Sequence, residues 1–148
     1  MTRPAHTLRD LQALLSISAA KAGPNEGAVA VRATWEQTFN SGDADKIAAL
    51  YTKDAMMFGS TAQLFKGIAG VRTYFSKLPA GIKVKMGDQQ AIAHGPDLLF
   101  SSGFADFTLA DGTVLPYRLT LALVKVDGKW LVAQHHGSPV PSEAAAGN

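Results

Sequence analysis

The sequence predicts an α+β fold in which N-terminal helices pack on one face of a curved, mainly antiparallel sheet. The first observation is a change of period, because apolar residues recur at helical spacing up to Leu78 and the pattern becomes extended from Ile82 onward. The second is a set of turn signals at 95–96, 111–112 and 127–128, which divides the remainder into four long extended segments. Helices followed by strands favour this class over alternating βαβ units.

The chain has 148 residues, which suits one domain with a real core rather than two. We expect an N-terminal extension over 1–26, the domain over 27–138 and a disordered tail over 139–148. The extension loosely resembles a secretory signal, but charged and polar residues interrupt its apolar run. We interpret it as an amphipathic helix that begins after Thr7 and ends at Gly23-Pro24, which predicts a cytoplasmic protein. The alternative is that this segment is a signal peptide, which would predict an exported protein.

Apolar stripes predict the helices of the domain. One stripe contains Ala28, Val31, Trp35 and Phe39 and ends at Asn40-Ser41-Gly42. Asp43 then caps a short helix whose apolar positions are Ile47, Leu50 and Tyr51, and a third helix begins at Gly67 and ends at Pro79. Short strands are expected between the second and third helices, over Ala55–Phe58 and Ala62–Phe65.

The last two extended segments form a predicted β-hairpin around Asp127-Gly128, a dipeptide that favours the positive φ angles of a tight turn. In the first of these strands, both alternating sets of side chains are largely apolar: Tyr117, Leu119, Leu121 and Leu123 on one face, Thr120, Ala122, Val124 and Val126 on the other. Helices can cover one apolar face of the sheet, and a second copy of the chain is the simplest cover for the opposite face. We therefore predict a homodimer through the sheet. The alternative is a monomer with a tolerated apolar face.

Composition excludes several classes of function. The 14 Lys and Arg residues give a net charge of only +2 and are scattered, which argues against nucleic acid as a partner. The absence of cysteine excludes disulfides, thiolate nucleophiles and cysteine metal sites. No apolar run reaches the roughly 20 residues of a membrane-spanning helix. We therefore predict no nucleic acid, membrane, metal or cofactor partner.

Several short motifs, in order, resemble the nuclear transport factor 2-like superfamily. They are Asn40-Ser41-Gly42-Asp43, Leu50-Tyr51-Thr52-Lys53-Asp54-Ala55, Phe65-Lys66-Gly67-Ile68 with Tyr74-Phe75, and Asp127-Gly128-Lys129-Trp130-Leu131. The chain looks most like the branch with SnoaL-like proteins, the SgcJ/EcaC family and the association domain of calcium/calmodulin-dependent kinase II. His136-Gly137-Ser138 and Pro141 match the end of that association domain. The resemblance implies a cone-shaped, cystatin-like fold that encloses a pocket and is usually dimeric or larger.

The same resemblance removes two activities. Aligned with ketosteroid isomerases, Trp35 falls at the oxyanion-binding tyrosine and Gly59 at the general-base aspartate. Glycine cannot abstract a proton, so isomerisation by that mechanism is not expected. Two pocket arginines of the kinase association domain fall at Leu121 and Gly137, so carboxylate binding in that manner is not expected either.

His135 and His136 are adjacent on a strand and point to opposite faces, so a shared metal site is not expected. The register of the hairpin decides which one faces the pocket, because a shift of one residue exchanges the faces. The resemblance favours His136 inside, either hydrogen-bonded for structure or acting in acid-base chemistry.

Other side chains complete the candidate pocket. Arg118 either reaches into the pocket toward a polar ligand group or lies at the sheet edge. Asp106 is either its partner and a second candidate base, or an exposed strand residue. Four aromatic residues are predicted to form the core or the pocket wall: Trp35, Phe58, Tyr74 and Phe104.

These residues support two main functional hypotheses. The first is a small-molecule-binding protein, with or without enzymatic activity, that holds an apolar or cyclic ligand in the pocket. The alternative is a non-catalytic association module that resembles the kinase hub. A partner of the transport machinery, as for nuclear transport factor 2 itself, is a third reading.

Overall fold

The computed structural model describes residues 23–142. The predicted leading helix, its signal-peptide alternative and positions 143–148 of the predicted tail lie outside these residues. The described elements are α1 (Pro24–Asn40), α2 (Ala44–Ala48), β1 (Tyr51–Phe58), β2 (Leu64–Lys66), α3 (Gly67–Ser76), β3 (Lys83–Ala93), β4 (Leu98–Thr108), β5 (Val114–Val126) and β6 (Lys129–Pro139).

The strands form one six-stranded sheet in the order β2-β1-β6-β5-β4-β3. Every neighbouring pair is antiparallel except β1 and β6, which run parallel. The helices pack on one face, called here the inner face, and the core lies between them and the sheet. The predicted α+β class with a curved, mainly antiparallel sheet is confirmed.

Helix α1 places the stripe of Ala28, Arg32, Trp35 and Phe39 against the inner face, where all four are buried. We predicted that Gly23-Pro24 ends a preceding helix and that the domain begins at 27. Instead Gly23 is the N-cap of α1 and Pro24 its first residue. Proline suits that position because its missing N–H would have no helical partner there.

The segment after α1 differs from the prediction at the first residues of β1 and β2. Asp43 caps α2 as expected, since its carboxylate accepts the backbone N–H groups of Asp45 and Lys46. Tyr51, however, begins β1 rather than continuing the helix. The cause is tertiary, because Val132 of β6 donates its N–H to the Leu50 carbonyl at 2.9 Å and extends the parallel pairing to Tyr51. The short strand β2 also begins two residues later than expected, at Leu64.

The β5–β6 hairpin is confirmed, with positive φ angles of 50° at Asp127 and 78° at Gly128. On β5, Leu119, Leu121 and Leu123 are buried on the inner face, as predicted. The predicted boundary at 138 was wrong. Pro139 belongs to β6, and the Val140 N–H donates to the Pro116 carbonyl at 2.9 Å, so the antiparallel ladder continues into the expected tail.

Candidate functional site

A cavity of about 240 Å³ opens between the helices and the inner face of the sheet. Ligand pockets are typically ~300 Å³ or larger, so this cavity suits a small ligand. Its wall is mostly apolar and aromatic. It includes Trp35 and Phe39 of α1, Gly59 and Ser60 after β1, Tyr74 and Phe75 of α3, Leu78, Pro79 and Ile82 after α3, Phe107 of β4, Leu109 after β4, Leu115, Tyr117 and Leu119 of β5, and His135 and Gly137 of β6.

A buried hydrogen-bonded chain joins α1 to the sheet at this cavity. Trp35 Nε1 donates to Tyr51 Oη at 2.9 Å, and Tyr51 Oη lies 2.8 Å from His135 Nδ1. All three side chains are at most 5% exposed. Indole can only donate, so the phenol accepts from Trp35 and keeps its own proton for His135 Nδ1. This network assigns the imidazole proton to Nε2.

The environment keeps His135 neutral. Burial is the main cause, and together with the smaller electrostatic effects of His136 and Arg32 it lowers the pKa of His135 to about 4. None of the hydrogen bonds among residues 23–142 involves Nε2. At neutral pH, His135 therefore presents an N–H donor and no free lone pair, because Nδ1 is occupied. Such a group suits hydrogen bonding to a ligand acceptor better than proton abstraction.

A one-residue bulge on β6 determines which histidine faces the cavity. Leu123 pairs with Val132, but Ala122 pairs with Gln134, so Ala133 is the extra residue. An unbroken register would place His136 opposite Leu119 on the inner face. The bulge places His135 and Gly137 there and turns His136 outward. The expectation that His136 faces the pocket was wrong.

Most of the other predicted site residues lie on the outer face of the sheet. Trp35 and Tyr74 line the cavity as expected. Phe58 lies beside His136 on the outer face, with ring centroids 5.5 Å apart, and Phe104 is 53% exposed there. The alternation of a strand separates each from the inner face, so their predicted place in the pocket wall was wrong.

Arg118 also points outward, where its Nη2 donates to Ser138 Oγ at 3.2 Å. It occupies β5, an interior strand, so neither the predicted pocket position nor the sheet edge is correct. Asp106 is exposed on the same outer face and forms no ion pair with any described residue. Neither side chain contributes to the cavity.

Two glycines shape the cavity. A Cβ at Gly59 would lie 2.3 to 2.5 Å from ring atoms of Tyr74, so only glycine lets that ring pack here. The Tyr74 hydroxyl then accepts the Ser60 N–H at 3.0 Å. A Cβ at Gly137 would meet Leu119 Cδ2 at 3.1 Å and His135 Nε2 at 3.5 Å. Gly137 therefore leaves open the space in front of the free imidazole nitrogen.

Sequence reasoning missed two members of this site, which are Tyr51 and His135 as the inward histidine. It also missed the buried Arg32, which lies on the same stripe of α1 as Trp35. Arg32 was detectable, because it lies four residues after Ala28 and three before Trp35, on the stripe that we predicted to be buried. No local signal marks the bulge at Ala133.

A second, larger depression of about 380 Å³ lies between α2, α3 and the start of β3. Its two ionisable side chains are already engaged, since Asp43 caps α2 and Lys83 Nζ donates to the Asn40 carbonyl at 2.7 Å. Within the part of the chain that the structure describes, no group of three or more histidine or acidic side chains is placed to hold a metal ion. No helix among residues 23–142 is long and apolar enough to cross a membrane.

The geometry has a counterpart in a known family, since the family model for the SnoaL-like domain matches residues 29–143. The chain belongs to the SnoaL-like family. The match covers both walls of the cavity, from α1 to β6. No match was found among curated proteins.

Solved structures show the same fold as this SnoaL-like protein. One is a Xanthomonas campestris protein provisionally assigned as a calcium/calmodulin dependent protein kinase II association domain, with 24% identity, TM-score 0.70, and 79% and 88% of the two chains covered. Another is a nuclear transport factor 2-like protein with a cystatin-like fold from Novosphingobium aromaticivorans, with 16% identity, TM-score 0.69, and 97% and 96% covered. A third, from Parabacteroides distasonis, is provisionally assigned as a ketosteroid isomerase, with 20% identity, TM-score 0.65, and 78% and 87% covered. At these identities the likeness shows the fold alone.

Proposed function

We propose that this SnoaL-like protein binds a small, largely apolar molecule in the cavity beneath α1. The observation that carries the proposal is the neutral His135, whose Nε2–H is left without a described partner in an otherwise apolar enclosure. A few placed polar groups in an apolar cavity are typical of ligand sites. The ligand therefore has an apolar body and one acceptor oxygen that bonds to His135.

The site supports binding rather than proton transfer. Nδ1 of His135 accepts from Tyr51, and Nε2 already carries the ring proton. Neither ring nitrogen is therefore free to accept a proton from a ligand. Asp106, the other candidate base, lies on the outer face. A reaction in this cavity would use His135 as a hydrogen-bond donor that polarises a carbonyl group.

The test is a thermal-shift screen with small apolar ketones, esters and aromatic acids on the wild type and two variants. Gly137→Val fills the space in front of His135, and Ser138→Val makes the same type of change on the outer face of the same strand. A true cavity ligand raises the melting temperature of the wild type and of Ser138→Val, but not of Gly137→Val. Equal shifts in all three proteins, or no shift with any compound, would contradict the proposal.

We further propose that the outer face of the sheet forms a homodimer. The side chains of Met56, Phe58, Phe100 and Phe104 all point outward and are 42%, 39%, 38% and 53% exposed. Arg118 and Asp106 add charges of both signs, which suits a surface that contacts its own copy. The Xanthomonas relative is provisionally assigned as an association domain, and this likeness also supports assembly here.

Light scattering coupled to gel filtration tests the dimer. Phe104→Glu places a charge among the exposed apolar residues of the outer face, and Val29→Glu is a matched control because Val29 is equally exposed, at 53%, but lies on α1. We expect a dimer mass for the wild type and Val29→Glu and a monomer mass for Phe104→Glu. A monomeric wild type, or a dimer that survives Phe104→Glu, would refute this interface.

A further inference from the structure

A separate apolar groove lies on the helix side of the domain, between α1 and the first residues of β6. Its volume is about 280 Å³. Three large apolar side chains in its wall pack against the core yet remain partly exposed, and they are Val31, Leu50 and Trp130. Contiguous apolar surface of this kind typically marks a place that another element or molecule covers.

The groove follows α1 for two helical turns. Gly27, Val31 and Thr34 line it at intervals of four and three residues, so they form a stripe beside the buried stripe that contains Trp35. Seven residues of helix correspond to a length of about 10 Å. Gly27 has no side chain and Thr34 has a short one, so the backbone of α1 is open here to close approach by another helix.

The chain itself provides a segment that suits this groove. Residues 1–22 join the described part at Gly23, one helical turn before the groove begins. Their sequence predicts an amphipathic helix with Leu8, Leu11 and Leu15 on one face. Gly23 is extended, with φ −71° and ψ 167°, so α1 does not continue into that segment. Helices joined by so short a connection lie antiparallel and side by side.

We propose that the segment 8–20 folds back along α1 and fills this groove. The three leucines follow one another at intervals of three and four residues. Read in the opposite direction, the three groove residues of α1 have the same intervals, from Thr34 to Val31 and from Val31 to Gly27. An antiparallel helix therefore brings its leucines into register with the stripe of α1 along the whole groove.

The covalent connection favours this occupant over a separate molecule. A segment attached one turn from the groove has an effective concentration in the millimolar range. A second copy of the chain would need an interface on the helix side, opposite the outer face that we propose for the dimer. A foreign partner would have to displace the attached segment.

Cysteine cross-linking tests where the segment lies, and the natural sequence has no cysteine to interfere. Leu11→Cys is combined either with Ala30→Cys, which is exposed in the groove, or with Val29→Cys, which is exposed on α1 but does not line the groove. A short bismaleimide should link the first pair within one chain on the order of tenfold faster than the second. Equal rates would overturn the proposal. Links formed only between chains would overturn it too and would indicate a second copy as the occupant.

Two charge substitutions in the full chain test whether the segment stabilises the domain. Leu15→Asp places a charge on the apolar face of the segment, and Ser16→Asp places the same charge on its polar face. We expect Leu15→Asp to lower the melting temperature by roughly 4–8 °C, as for the loss of one buried leucine, and Ser16→Asp to change it by no more than about 1 °C.

Tryptophan fluorescence of the same variants reports on the groove. One of the two tryptophans, Trp35, is buried in the core, so a shift of emission to longer wavelength in Leu15→Asp measures hydration of Trp130. Unchanged emission and melting temperature in Leu15→Asp would refute the proposal and leave the groove to a foreign partner. The cross-linking comparison needs no destabilised variant, so it decides the question by itself if Leu15→Asp does not fold.

Discussion

Acid should destabilise this protein through His135. The folded state lowers the pKa of His135 from 6.5 to about 4, so between these two pH values the unfolded chain binds more protons than the native one. Stability is therefore fully present above the unfolded pKa and is lost as the pH falls toward the folded pKa. A difference of roughly 2.5 pKa units corresponds to about 3 kcal/mol of unfolding free energy for this fully buried group.

Urea denaturation of three proteins, at about pH 7 and about pH 4, isolates this contribution. His135→Asn removes the buried titrating group, and His136→Asn removes its exposed neighbour on the outer face. We expect the wild type and His136→Asn to lose about 3 kcal/mol more than His135→Asn over this range, because the acidic side chains contribute equally in all three.

Two results would refute the reasoning about His135. One is an identical loss of stability in the three proteins. The other is an NMR titration in which the His135 imidazole has a midpoint near 6.5, since that would mean that the ring is hydrated and free to charge in the folded state.

Three further substitutions test the packing that positions the site. Gly59→Ala should cost about 1–3 kcal/mol in urea denaturation because its Cβ would overlap the Tyr74 side chain. Gly23→Ala meets no atom within 4 Å and should cost only the smaller loss of a favourable N-cap residue, about 0.5 kcal/mol. Equal effects would show that the ring moves freely. Tyr51→Phe should cost about 2–5 kcal/mol because it leaves the indole and imidazole nitrogens that it bridges without partners, and a change within about 0.5 kcal/mol would contradict that bridge. Asp43→Ala should cost about 1 kcal/mol through loss of the α2 cap, measured by thermal denaturation, and an unchanged melting temperature would show that packing alone holds α2.

Local chemistry made the secondary structure predictable. Asp127-Gly128 defined a hairpin because both residues tolerate positive φ, and the spacing of Trp35 and Phe39 defined the buried stripe of α1. One exception is Tyr51. Its three-residue spacing after Ile47 and Leu50 fits a helix, but pairing with a strand about 80 positions away placed it in β1. Long-range pairing of this kind leaves no trace in local periodicity.

The candidate site was predictable only in part. Trp35 and Tyr74 were found from helical periodicity, which does not depend on register. Residues on strands depended on register, and one extra residue at Ala133 exchanged His136 for His135. Phe104 and Arg118 lie on the outer face through the same alternation of a strand.

By itself, the sequence determined the α+β class, the three helices among residues 23–142, the four long strands and the resemblance that the SnoaL-like family match confirms, because these depend on spacing and turn chemistry along the chain. The tertiary structure decided which side chains share the cavity. It brought Tyr51, His135 and Trp35 into one hydrogen-bonded chain, and it buried Arg32 on the same stripe of α1 as Trp35. The physical reason is that a β-bulge and a parallel strand pair are set by the energy of the whole sheet, whereas a turn or a helix stripe is set by neighbours in sequence.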